Sequence, residues 1–388
     1  MKDREPIYGL DVIRFAAAMA VVGWHVAYRF FDPHADHISV FVAGLPTGDG
    51  PLRLITQWGW IGVQIFFVIS GLVIAYSAEG ATPRRFALGR FGRLVPGILI
   101  CATLILAIDL LFWHQPFVVL AKEAAKTVIL WPAGGWVAPQ FWTLPVEIAF
   151  YTIVWAMIAA GKINRLDWLA LALVGMSALH LGLSAFDLDH MGGQIVNVLL
   201  LKHGMYFAMG IALASIDRRG LSVGRVFVIL AAATLAMLEI PLSVHTYGVY
   251  SAAAPHRWII PYTIWVGGVT LIMLSLGWKS EIARFVRVAR MSGTLRTIGL
   301  ATYPLYLIHI HVAGVVVTLT RAAGAAVIPA LLLGVTTSVI AAAVIAVLIE
   351  PRVRRLLLAP FGGPSREKEA TEVRPSLPGL GDFSTEQG

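Results

Sequence analysis

Ten apolar runs of roughly twenty residues, separated by short polar loops, leave this 388-residue chain few ways to fold. They fall near residues 9–29, 58–77, 94–113, 142–160, 166–184, 194–214, 225–244, 258–277, 299–319 and 327–349. At about 1.5 Å of rise per residue, each run is long enough to cross the hydrocarbon of a bilayer as a helix. None alternates polar and apolar positions, which excludes a β-barrel. The sequence therefore predicts an all-α, polytopic integral membrane bundle of about ten transmembrane helices, with residues 1–361 as one membrane domain. Only 13% of residues are charged, about half the share in an ordinary soluble domain. The first run has a short, charge-balanced leader and an arginine inside it, and reads as a retained span rather than a cleaved signal. Residues 362–388 are rich in Pro, Gly and charge, bury no core, and are expected to form a disordered cytoplasmic tail.

Basic residues orient the bundle, because cytoplasmic loops accumulate Lys and Arg. Alternate loops hold 22 of the 30 Lys and Arg residues, among them Arg84, Arg85, Arg90 and Arg93, whereas the opposite side holds Arg29, Arg53, Lys122, Lys126, Arg257 and Arg321. Both termini are thus expected in the cytoplasm. The net charge of +8 resides in loops beside membrane spans and gives no reason to expect a nucleic-acid partner. The sole cysteine, Cys101, lies within the third run as a packing residue, so no intramolecular disulfide exists. In the segment 114–141, the charges of AKEAAK forbid a span and predict a short interfacial helix over the outer face.

Ionisable residues inside the runs are costly in lipid and face the bundle interior or a water-filled cavity. Arg14 and His25 stand eleven residues apart in the first run. On a helix that spacing is a rise of about 16 Å and a return to within about 20° of the same direction, so both line one face. Arg14 lies toward the cytoplasm and His25 toward the outer side. This pattern fits an anion site below a proton-transfer group; it fits equally an arginine paired with Asp11 and a histidine satisfied in a packed core. In the second run, Ser70-Gly71 lies at the depth of Arg14, where glycine permits close approach of a ligand or, more commonly in membranes, of another helix. Arg90 and Arg93 are three residues apart and share a helix face, which suits both phosphate binding and the positive-inside bias. In the fourth run Glu147 is expected near the depth of His25, where a carboxylate fixes the tautomer of an imidazole acting as general base, and Tyr151, one turn on, can donate to it.

These residues carry a resemblance to the membrane-bound acyltransferase-3 family, which contains many bacterial polysaccharide O-acyltransferases. It rests on LDVIRFAAAMAVVGWH with the Arg14 to His25 spacing, FFVISGLVI, the RFGR pair Arg90 and Arg93, FWTLPVEIAFY, and LATYPLYLIHIHV, in family order from residue 8 to about 355. Thr143 and Pro145 depart from common variants of the fourth motif, and proline in the first turns of a helix is tolerated. The resemblance implies a multi-pass protein of the bacterial inner membrane that moves an acyl group, commonly acetyl, from cytoplasmic acyl-CoA to a hydroxyl on the far side. It also implies that His25 is essential and that Arg14, Arg90 and Arg93 handle the donor. Many relatives append an extracytoplasmic hydrolase-like domain after additional spans, which this sequence does not show.

Geometry and resemblance together give a mechanism. Acyl-CoA docks with its phosphates on Arg14, Arg90 and Arg93 and its pantetheine arm rising past Ser70; His25, oriented by Glu147, takes the proton of the acceptor hydroxyl. Trp142, Tyr151 and His309 are expected to contact substrate. His309 and His311 point about 160° apart round a helix and do not share a metal, so no metal and no permanently bound cofactor is expected. Lys202, His203, Asp109 and Glu239 are further membrane-level polar residues with no assigned role, and Glu350 is expected to pair with a loop arginine. The resemblance implies that the acceptor is a saccharide of the envelope or a secreted one. Two other readings remain: an acyltransferase tailoring a small molecule such as an antibiotic, and a proton-coupled transporter, for which inverted repeats would be the signature.

Overall fold

A computed structural model of the protein describes residues 7–31, 51–113, 116–186, 193–246 and 259–361. The predicted tail, 362–388, lies outside the described residues. Every regular element among them is helical. The long helices are α1 (Tyr8–Ala27), α3 (Ile61–Ala78), α4 (Pro83–Phe112), α6 (Thr143–Ala159), α7 (Leu166–Ala185), α9 (Gly204–Arg219), α10 (Val223–Thr246), α11 (Ile259–Gly277), α13 (Ser292–Ala322) and α14 (Val327–Val344). Shorter ones are α2 (Pro51–Thr56), α5 (Phe117–Val128), α8 (Gln194–Val198), α12 (Lys279–Val288) and α15 (Glu350–Leu358).

Among the described residues, nine helices are long and apolar enough to cross a membrane. The remaining predicted run, 194–214, is not one continuous span. It breaks into α8 and α9 at residues 199–203, where Leu200 adopts a left-handed conformation with φ of 60°. Lys202 and His203 therefore stand at the head of α9 rather than in the middle of a helix. From there α9 runs antiparallel to α7: Met205 N–H donates to Ser177 Oγ at 3.0 Å, and Arg219 meets Asp167 at the start of α7 at 2.8 Å. The α8–α9 pair stands in place of the predicted run 194–214, with α9 spanning only Gly204–Arg219. Asp11 near the start of α1 and Glu350 at the start of α15 both neighbour Arg93, so these two helix ends lie on one face of the bundle.

That face is the arginine-rich one. Asp217 accepts from Tyr76 at 2.7 Å and from Lys279 at 2.7 Å, Arg218 pairs with Glu79, and Arg225 reaches Asp167 at 3.1 Å. These pairs join the ends of α3, α7, α9, α10 and α12 on that face. On the opposite face Arg29 and Arg53 lie over the rings of Trp24 and Tyr28.

Small residues set the closest helix contacts, as packing in lipid favours. A Cβ at Gly71 would overlap the Phe207 carbonyl of α9, and one at Gly210 would overlap the Val68 carbonyl of α3. Gly71 is therefore a packing residue, and α9, with almost every side chain buried, forms the centre of the bundle.

The AKEAAK helix, α5, is followed by a loop that folds back. Thr127 Oγ1 accepts from Val137 N–H at 2.9 Å, and Gln140 Nε2 donates to Leu307 O at 2.5 Å. This second bond fixes the start of α6 against the middle of α13, where the histidines lie.

Candidate active site

A cavity of about 340 Å³ lies between α1, α3, α4, α6 and α13. Arg14, Ser70, Arg90, Arg93, Glu147 and Tyr151 all line it, so residues from four separate sequence motifs meet in one chamber. Tyr303, Tyr306 and Arg354 line it as well. The periodicity that places each one is simple. Ser70 looks into the chamber while Gly71, one residue on, packs against α9; Arg90 and Arg93 are neighbours across one turn of α4, and Glu147 and Tyr151 across one turn of α6.

The chamber is dominated by guanidinium groups. Tyr151 Oη donates to Glu147 Oε2 at 3.0 Å, and the charged neighbours of Glu147 are Arg14, Arg93 and Arg90. Asp11 has Arg14 and Arg93 as its charged neighbours, linking α1 to α4 at this end of the chamber. Arg93 sits 5.5 Å from the ring centre of Tyr303, and Arg90 sits 6.0 Å from that of Tyr151. Arg90 Nε is buried with no hydrogen-bond partner among the described residues. Burying a cation is expensive unless an anion and hydrogen-bond acceptors meet it, and Glu147 and Asp11 supply part of that compensation here.

His25 and His309 are not among the residues lining the chamber; Tyr306, which is, reaches toward His309. The Tyr306 ring lies 6.2 Å from that of His309 and 5.9 Å from that of Phe66. His309 Nδ1 faces two carbonyl oxygens, Leu305 O at 3.1 Å and Tyr306 O at 2.9 Å, and only an N–H satisfies them. In the neutral ring the proton is then on Nδ1, and Nε2 is an acceptor. His25 Nδ1 lies 3.0 Å from that acceptor and 3.0 Å from Val21 O, so it also carries the proton. The lone pair left over is then on His25 Nε2.

The partner at His25 Nδ1 is thus His309, to which sequence reasoning gave the donor channel, while Glu147 stands with the arginines. Tyr303 and Tyr306 are one turn apart in α13, as are Tyr306 and His309, and this stepwise spacing in LATYPLYLIHIHV would have linked Tyr306 both to the chamber and to His309. Arg354 entered sequence reasoning only as a topological charge. Trp142 is in a 3-10 turn before α6, and its ring packs 5.3 Å from His203 and 6.1 Å from Phe67, away from the arginines. His311 is buried, with Nε2 3.5 Å from Asp109 Oδ1. Glu350 has Arg93 of α4 and Arg354 of α15 as charged neighbours, both on helices rather than in a loop. Among the described residues no group of His, Cys, Asp and Glu is arranged to hold a metal ion.

A family model described as an acyltransferase domain matches residues 7–349 of the 388. The chain belongs to the acyltransferase-3 family. Searches of curated proteins and of solved structures return no match. Membership establishes a multi-pass membrane acyltransferase, an enzyme that transfers non-aminoacyl groups, and the matched segment contains all the motifs from Arg14 to His311.

Proposed function

We propose that the protein moves an acyl group, acetyl in the simplest case, from cytoplasmic acyl-CoA to a hydroxyl of a saccharide on the far side of the bacterial inner membrane. The observation that carries this reading is the arginine chamber ending beside a histidine pair whose free lone pair is on His25 Nε2. A CoA thioester combines phosphates, which suit Arg14, Arg90 and Arg93, with a slender pantetheine arm, which suits the passage past Ser70 and Tyr306. His25 Nε2 takes the proton from the acceptor hydroxyl as its oxygen attacks the thioester carbonyl. The C–O bond forms, the C–S bond breaks, and the proton passes from His25 to the departing CoA thiolate. No covalent acyl-enzyme is needed. General-base assistance supplies about 10²–10⁴-fold, and holding donor and acceptor together supplies the rest.

Glu147 serves this mechanism from the chamber: it offsets the arginines and fixes Tyr151, while His309 sets the tautomer of His25. The reading is tested by thioester cleavage of acetyl-CoA by the purified protein in lipid discs, with polysaccharide and small-molecule hydroxyl acceptors compared. Acceptor-dependent release of CoA, lost in His25→Ala while CoA still binds, supports it. Acceptor-independent passage of a solute with no release of CoA sinks it in favour of a carrier.

A further inference from the structure

The family match ends at residue 349, and the next helix, α15, begins at Glu350. A π-helical turn at Ile345–Ile349 leads into it. The polar helix α15 nevertheless supplies a wall of the chamber, through Arg354. Its seat on α4 is built by specific contacts. Arg84 Nη2 donates to Phe361 O at 2.7 Å, and the rings of Phe91 and Phe361 lie 6.3 Å apart. Gly92, between Arg90 and Arg93, leaves the space that α15 fills: a Cβ there would lie 3.0 Å from Leu358 Cδ1 and 3.2 Å from Arg354 Nε.

Four guanidinium groups therefore line one chamber, from Arg14 inside the bundle to Arg354, which is exposed on the cytoplasmic side. Asp11, Glu147 and Glu350 are the carboxylates beside them, so a positive excess remains. In a CoA thioester bound with its acyl end toward His25, the phosphates fall in a fixed order along the molecule. The diphosphate follows the pantetheine arm, and the ribose 3′-phosphate is the most distant from the thioester. The outermost arginine meets the outermost phosphate.

We infer that Arg354 is a specificity-determining residue that binds the 3′-phosphate of the donor, so that the enzyme selects full CoA thioesters over 3′-dephospho or pantetheine thioesters. The inference rests on the donor being acyl-CoA. A charge-assisted contact of this kind discriminates by about 10–100-fold.

The experiment compares kcat/KM for acetyl-CoA and acetyl-3′-dephospho-CoA, in discs of zwitterionic lipid that offer no competing anionic headgroup. Wild type is expected to favour acetyl-CoA by about 10–100-fold. In Arg354→Ala the preference falls to about one, with the loss in KM rather than kcat, and Arg354→Lys restores part of it. Gly92→Leu, which fills the seat of α15 from the other side, is expected to weaken the preference independently. A preference that survives Arg354→Ala, or a loss that falls equally on both donors, overturns the inference while leaving the acyl-CoA reading in place. Wild type that neither binds nor turns over either thioester overturns both.

Discussion

His309 Nε2 sits 3.0 Å from His25 Nδ1, joining side chains 284 residues apart in sequence at the end of the arginine chamber. Each ring is held by backbone carbonyls of its own helix, Val21 O for His25 and Leu305 O and Tyr306 O for His309. The arrangement resembles in logic any base whose far nitrogen is fixed by a second group: the partner chooses the tautomer, and the exposed lone pair follows.

His309→Ala is expected to lower kcat by about 10–100-fold, a share of the general-base contribution, with little change in KM for the donor. His309→Gln, whose side-chain oxygen can accept from His25 Nδ1–H, should recover part of the rate. Steady-state kinetics at saturating acceptor separate the two. A rise in KM at constant kcat would return His309 to the donor channel.

Removing the charge of Glu147 leaves three guanidinium groups with less compensation. Glu147→Gln is expected to destabilise the empty protein by about 1–3 kcal/mol, because a buried hydrogen-bonded carboxylate is lost. Saturating CoA should restore much of that stability, since its phosphates supply the missing negative charge. Thermal unfolding in detergent with and without CoA measures both. A loss that CoA leaves untouched would contradict the pairing of Glu147 with the donor arginines.

Glu239 ties three helices together away from the chamber. It accepts from Gln64 Nε2 at 2.9 Å and Tyr206 Oη at 2.9 Å, bonds Ser243 Oγ, and lies 3.5 Å from Lys202 Nζ. Glu239→Ala removes the carboxylate that all four groups meet and is expected to cost about 3–5 kcal/mol. The double change Lys202→Met with Glu239→Gln should cost less than the two single changes added together, because each leaves the other uncompensated. Strict additivity in the unfolding free energies would show that the ion pair contributes nothing.

Close approach of α3 and α9 predicts the response to size at Gly71. A methyl there meets the Phe207 backbone rather than a movable side chain, so Gly71→Ala is expected to destabilise by about 1–3 kcal/mol. Gly89, where an added Cβ would meet only open space, should accept alanine at no comparable cost. Equal melting temperatures for the two variants would refute the packing role.

Much of this was legible in the amino-acid sequence. Helix number and the two faces follow from hydrophobic length and the distribution of arginine, which lipid enforces strongly. The grouping of Arg14, Ser70, Arg90 and Arg93 was legible from depth and motif order, whereas Glu147 and Tyr151, expected beside His25, line the same chamber as the arginines. The break before α9 was hidden because an apolar sequence such as VLLLKHG reads as continuous helix, and the left-handed Leu200 is a tertiary effect. Which carboxylate or imidazole meets His25 was hidden for a related reason. Depth along a helix says how high a side chain stands, while rotation and helix neighbours decide whom it touches. Glu147 turns toward α4 and its arginines; His309 turns toward α1. Arg354 was invisible as a site residue because its role depends on α15 folding back over Gly92.

The most direct test is single-turnover transfer from radiolabelled acetyl-CoA to a hydroxyl acceptor by protein in lipid discs, wild type against His25→Ala and His25→Gln. The mechanism predicts that both variants bind CoA like wild type and lose acceptor-dependent transfer by at least about 10²-fold. Transfer at the wild-type rate in either folded variant would remove His25 Nε2 from the chemistry and contradict it.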